Sequence, residues 1–240
     1  MILKENKLSR FEKIANDKEI IRIYNEISKF EDFDKGWAYH NLEHANNVAN
    51  LVEVLLKKLG YSDNFIEEAK IAAILHDIGA LNGKKNHALK SYNFSKMYLK
   101  KNNFLLENLD LVLDAIKIHS DGFNSENIIA LTLILSDKLD IKYTRIAREG
   151  YNVAGMKELQ YIKDILVDIY DNTLKIKFIC DDKINKKELE EFYFMAKVFK
   201  SIITFSVKMN LKPKVLFNNS KWQLFNNMLK NDMQINFIKG

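Results

Sequence analysis

Two stretches of this chain, 66–81 and 125–143, are too apolar for surface helices, and each is interrupted by an aspartate, Asp77 in the first and Asp137 in the second. The C-terminal half of the first is almost wholly apolar. The second holds Ile128, Ile129, Leu131, Leu133, Ile134, Leu135 and Leu139. Helices of that kind lie in the middle of a bundle, enclosed on most sides. A carboxylate carried inside costs several kcal/mol unless a cation meets it. The fold therefore has to bring positive charge to two interior points.

The rest of the sequence favours helices up to about residue 160. One proline and eight glycines in 240 residues leave long runs uninterrupted. Apolar positions from Leu42 to Leu56 recur at helical spacing until Gly60 stops the run, and Ser62 with Asp63 caps the next helix. Helices also fit 86–101 and 106–119. After residue 160 the pattern changes to alternation. Segments 165–170 and 173–180 flank Asp171-Asn172 and predict a β-hairpin. A long helix over 186–209 follows, then short strands near 215–217 and 234–237. Phe192, Tyr193, Phe194 and Phe199 on that helix are expected to pack on the hairpin. The expected division is a helical domain over 1–160 and a small α+β appendage over 161–240. The appendage carries no recognisable chemistry; it covers the core, forms a homodimer surface or binds a ligand.

The formal charge of +5 suits an anionic partner, but the lysines alternate with Glu, Asp and Asn in place of forming a stripe. A nucleic-acid partner is therefore disfavoured against an anionic small molecule. The single cysteine, Cys180, excludes an internal disulfide and ends an apolar run, which reads as a buried thiol. The first seven residues lack the apolar stretch of a signal peptide, and no run of eighteen apolar residues occurs, so a cytoplasmic protein without a membrane span is expected.

All five histidines, at 40, 44, 76, 87 and 119, fall in the helical part. His40 and His44 are four apart and share a helix face. His76-Asp77 closes the first apolar stretch, and Asp137 lies inside the second. One metal ion shared by His44, His76, Asp77 and Asp137 would satisfy both carboxylates at once; solvation by lysines such as Lys138 is the alternative.

The ordered set Tyr39-His40-Asn41-Leu42-Glu43-His44, Leu75-His76-Asp77-Ile78-Gly79 and Ser136-Asp137-Lys138 resembles the signature of HD-domain phosphohydrolases over about 35–148. The resemblance implies a mainly α fold, an HD-domain helical bundle, here followed by the α+β appendage. It implies one or two divalent transition-metal ions (Mn, Fe, Co, Ni or Zn), with His44, His76, Asp77 and Asp137 as ligands of the first and Asp77 bridging to a second. His87 and His119, in segments similar to those of bacterial HD hydrolases acting on dinucleoside polyphosphates, are then further ligands, or else phosphate contacts or simply exposed residues. The Tyr39-to-Ala45 segment is also similar to one in cyclic-nucleotide phosphodiesterases, which implies that His40 protonates the leaving oxygen; a role at the helix start is the alternative. Lys138, Lys142 and Arg145 are candidates to hold substrate phosphate, with Lys142 and Arg145 three apart on one face; a plain surface role is the alternative for these two.

The expected reaction is hydrolysis of a phosphate ester or phosphoanhydride, in a nucleotide-like substrate, by attack of a metal-bound hydroxide on phosphorus, with His40 and Asp77 as the catalytic pair. A metal-stabilised binding or regulatory module without turnover is the alternative, and a nuclease or nucleic-acid-binding protein ranks below both. No Gly-rich phosphate loop, Cys-x-x-Cys pair or nucleophilic-serine elbow is present.

Overall fold

A computed structural model describes residues 8–33, 36–81 and 83–238, so the expectation for the first seven residues lies outside the described residues. The helical part runs α1 (Arg10–Ala15), α2 (Lys18–Phe33), α3 (Leu42–Lys58), α4 (Asp63–Leu75), α5 (His87–Lys101), α6 (Leu109–Ile118) and α7 (Ile128–Leu139). The caps explain several starts. The Asn41 side chain accepts from the His44 amide at 2.9 Å, Ser62 caps α4 as expected, and Asn127 accepts from the amides of Ile129 and Ala130.

Both apolar helices are shorter than their apolar stretches. Helix α4 ends at Leu75, which puts His76 and Asp77 in a turn before a short 3-10 segment, Ile78–Ala80. The cause is the close approach of α5: a side chain on Gly79 would collide with the main chain of His87 and Ser91, and the Gly79 amide donates to Ser91 Oγ at 2.9 Å. Helix α7 stops at Leu139, and every residue from Ile129 to Leu139 is buried, as its composition requires.

The appendage begins with β1 (Ile162–Tyr170) and β2 (Thr173–Cys180), the expected hairpin, whose turn residues Asp171 and Asn172 both have positive φ. Leu174, Ile176, Phe178 and Cys180 alternate inward along β2. The helix expected over 186–209 is two helices, α8 (Lys186–Glu191) and α9 (Tyr193–Lys208), broken where Phe192 adopts an extended backbone. Strand β3 (Lys212–Phe217) pairs parallel to β2, and β4 (Ser220–Lys221) closes the sheet in the order β1-β2-β3-β4.

The strand expected at 234–237 is instead part of α10 (Gln223–Ile238). Four alternating residues fit either period; the decisive pattern is Leu224, Phe225, Met228 and Leu229, which pack at helical spacing on the core. Phe192 and Phe199 are buried as expected, whereas Tyr193 is exposed.

Two apolar cores meet at α7. Ile129, Ala130 and Leu133 join the core of α1–α6, while Leu131, Leu135 and Leu139 join Phe178, Phe199, Trp222 and the rest of the appendage core. The appendage is thus packed directly on the helix that carries Asp137. Among the described residues no helix is long and apolar enough to cross a membrane.

Candidate metal centre

Asp77 is the centre of the site. Its Oδ2 lies 3.5 Å from His44 Nε2 and 3.1 Å from His76 Nε2, while its Oδ1 lies 3.3 Å from His87 Nε2 and 3.4 Å from His119 Nε2. Asp137 Oδ1 completes the first group at 3.2 Å from His44 Nε2. Ligand atoms of His44, His76, Asp77 and Asp137 all fall within 4.8 Å of one another, as do those of Asp77, His87 and His119. The six residues come from the start of α3, the turn after α4, the first residue of α5, the end of α6 and the last turn of α7.

Each histidine is oriented through its other nitrogen. Nδ1 of His76 faces Ala73 O at 2.7 Å, that of His87 faces Lys84 O at 2.9 Å and that of His119 faces Ile116 O at 2.8 Å. A carbonyl only accepts, so each Nδ1 carries a proton, and Nε2 is the nitrogen turned towards Asp77, able to bind an ion when it is unprotonated. His44 Nδ1 is held in the same way by Asp140 Oδ2 at 2.7 Å, and Asn47 donates to the other Asp140 oxygen. This is the outer arrangement that metal-binding histidines use. His76 Nε2 lies close to Asp77, yet it is buried without a hydrogen-bond partner among the described residues. An orphaned imidazole nitrogen beside two buried carboxylates fits a divalent ion.

The charges of this cluster reinforce one another. Burial disfavours charge on Asp77 and Asp137, but His76 and the other histidines around the first, and Lys138 and His44 beside the second, hold both carboxyls well below the usual carboxylate range. Burial likewise opposes a proton on His76, and the negative charge of Asp77 and Asp137 overcomes it, raising the imidazole to about 10. Burial lowers His119 to about 4.

The remaining expected residues divide. His40 is buried beside the first group, where its Nδ1 and the Glu31 carboxyl share a very short hydrogen bond and its amide donates to the other Glu31 oxygen at 2.7 Å. Burial pushes Glu31 up to about 7 and His40 well below 6.5, so neither partner favours a separate charge. Arg145 is buried with Nη2 at 3.2 Å from His44 Nε2, and its Nη1 has no partner among the described residues. Lys138 Nζ sits 2.6 Å from Asp137 Oδ2. Lys142 is not in the site: it points to the opposite side of α7, with Nζ 3.9 Å from Asp164. Its pairing with Arg145 presumed a helix continuing past residue 139, whereas Arg145 lies in a separate 3-10 turn, Tyr143–Arg145.

A cavity of about 400 Å³ opens beside the cluster, lined by His40, Asp137, Lys138, Arg145 and the unforeseen Glu31 and Lys84. Glu31 stands on amphipathic α2, and only the return of the chain to α3 buries it; neither it nor Lys84 carries a signal in the sequence.

A helical bundle that gathers four histidines and two buried aspartates around common points defines a protein able to hold divalent metal. Residues 41–148 match the family model for the HD domain, and this part of the chain is an HD domain, the fold of a superfamily of metal-dependent hydrolases. Comparison with curated proteins gave no match for the chain.

Proposed function

We propose that the protein hydrolyses a phosphate ester or phosphoanhydride bond in a nucleotide-like substrate. The observation that carries this reading is the division of Asp77 between two pairs of imidazoles, one oxygen to each. Such a donor set suits one or two ions of Mn, Fe, Co, Ni or Zn, with His44, His76, Asp77 and Asp137 at one position and Asp77, His87 and His119 at the other. When bound there, a divalent ion supplies an acidified water and draws charge from phosphoryl oxygens.

The protein's own groups complete the chemistry. Arg145, whose Nη1 has no partner among the described residues, and Lys84 and Lys138 at the cavity wall are the groups to hold phosphoryl oxygens. With Glu31 holding the proton it shares with His40 Nδ1, His40 carries its own proton on Nε2, and it can give that proton to the leaving oxygen as the Glu31 proton moves onto Nδ1. In the net reaction the bond from phosphorus to the leaving oxygen breaks and a bond from phosphorus to a water oxygen forms. A proton passes from His40 to the leaving group, and the water replaces it.

The test combines metal analysis of the purified protein with a phosphatase and phosphodiesterase panel under added Mn²⁺, Co²⁺ or Ni²⁺, comparing the native chain with Asp77→Ala. The variant is expected to lose both metal and turnover. Retention of both removes the site from the reaction.

A further inference from the structure

The cavity has two lobes that share a wall of Lys84, Asp137, Lys138, Tyr193 and Phe194. The more polar one, about 530 Å³, carries His87, His119, Ser120, Lys117 and Lys197. The other, about 400 Å³, is walled by Phe30 and Trp37 from the helical part and by Phe192, Tyr193 and Phe194 from the break between α8 and α9. His40 lines the aromatic lobe and not the polar one.

The aromatic wall is held from behind. Phe192 is buried, and a side chain on Gly155 would strike its Cβ, so the Gly155 backbone packs against the Phe192 side chain at a residue whose positive φ of 74° favours glycine. Phe194 lies beneath the Lys138 ammonium, 5.8 Å from its ring centre. Tyr193 and Trp37 remain exposed at the mouth. A lobe lined by aromatic side chains, one of them anchored, with Lys84, Lys138 and Arg145 on its wall, fits a flat ring carrying phosphate.

We propose that the C-terminal appendage selects the substrate: Phe192, Tyr193 and Phe194 form, with Phe30 and Trp37, the slot for the heterocyclic ring of the departing alcohol. This rests on the hydrolytic reading above, because the side on which His40 stands then fixes the direction of the substrate. The leaving oxygen receives its proton from His40, so the group attached to that oxygen occupies the aromatic lobe, and the phosphate left behind faces the polar one. The substrate class is a nucleoside phosphate whose nucleoside is the leaving alcohol; hydrolysis gives the free nucleoside hydroxyl and the phosphate.

The experiment compares AMP, GMP, CMP and UMP with ribose 5-phosphate, which has the same sugar and phosphate without a base. Two readouts are taken with the full chain: kcat/KM, and quenching of Trp37 fluorescence on binding, with buried Trp222 as a constant background and Trp37→Phe as the control. Base stacking predicts that at least one nucleotide exceeds ribose 5-phosphate by about fivefold or more in kcat/KM and quenches Trp37. In Tyr193→Ala and Phe194→Ala the ratio is expected to fall towards one. Tyr193 is exposed, so its replacement tests the slot without removing core packing.

If no nucleotide exceeds ribose 5-phosphate in either readout, or if both alanine variants lose activity on both substrates alike and keep the ratio, the proposal is overturned. If the native chain turns over none of the compounds but nucleotides still quench Trp37 and Phe194→Ala abolishes the quenching, the slot stands and it is the hydrolytic reading that fails.

Discussion

His87 and His119 bring their Nε2 atoms to 3.0 Å from each other although each ring gives its Nδ1 proton to a main-chain carbonyl. Two ring nitrogens at that distance share either a proton or a metal ion, and burial lowers the proton affinity of His119. Asp77 Oδ1 faces the same point from 3.3 and 3.4 Å. Because Asp77, His87 and His119 converge closely enough to hold a metal, we expect a second ion there in place of the shared proton, beside the one at His44, His76 and Asp137. Metal analysis should find two ions per chain in the native protein and one in His119→Ala. Two ions retained by the variant would show that His119 holds neither.

Gly79 gives a separate handle on the same position. Its α-carbon lies against the main chain at the start of α5, where a methyl group would meet the His87 carbonyl and the Ser91 amide. Backbone cannot step aside as a flexible side chain can, so Gly79→Ala should push α5 outward and carry His87 with it. Overpacking of this kind costs about 1–3 kcal/mol. Urea unfolding should register that loss, and metal analysis should find the second ion weakened more than the first. Unchanged stability and metal content would mean that α5 is not held to this turn.

The sequence made the metal cluster readable because its members interrupt apolar helices at characteristic spacings. Asp77 and Asp137 stand out as charges in an oily context, and His44 and His76 precede them in order. What surrounds them was far less visible. Glu31 is one acid among several on α2, and its contact with His40 exists only because the chain folds back. Asp140 follows Asp137 by three residues, but its function of fixing His44 depends on where α7 ends. The same helix end separates Lys142 from Arg145. In the appendage, β2 was legible from its alternation, whereas the break at Phe192 has no local marker. No glycine or proline stands there; the nearest cause is the close contact with distant Gly155.

Cys180 offers a check on the appendage core. Burial pushes its thiol up to about 12 from an ordinary 9.0. The reactive form is the thiolate, so at pH 8 the folded protein should react with iodoacetamide about a thousandfold more slowly than the urea-unfolded chain. The sign for stability follows: the unfolded thiol ionises first as pH rises, so this group costs stability between about pH 9 and 12 and has no effect below that window. Mass spectrometry of labelled protein measures the ratio. Native and unfolded rates within tenfold of each other would mean that β2 opens readily.

The assignment of His40 makes the most discriminating prediction. A general acid matters when the departing oxygen is a poor leaving group and hardly at all when it is a good one. His40→Gln should therefore lower turnover of alkyl phosphate esters by roughly 10²–10⁴-fold while changing p-nitrophenyl phosphate little. Glu31→Gln keeps a hydrogen-bonding group beside Nδ1 but removes the carboxyl proton that can follow onto it, so it should show the same dependence on the leaving group with a smaller loss. Both variants should keep their metal, since neither residue belongs to the two ligand groups. Equal losses on the alkyl and nitrophenyl esters would instead assign His40 to holding the start of α3, with the proton coming from elsewhere.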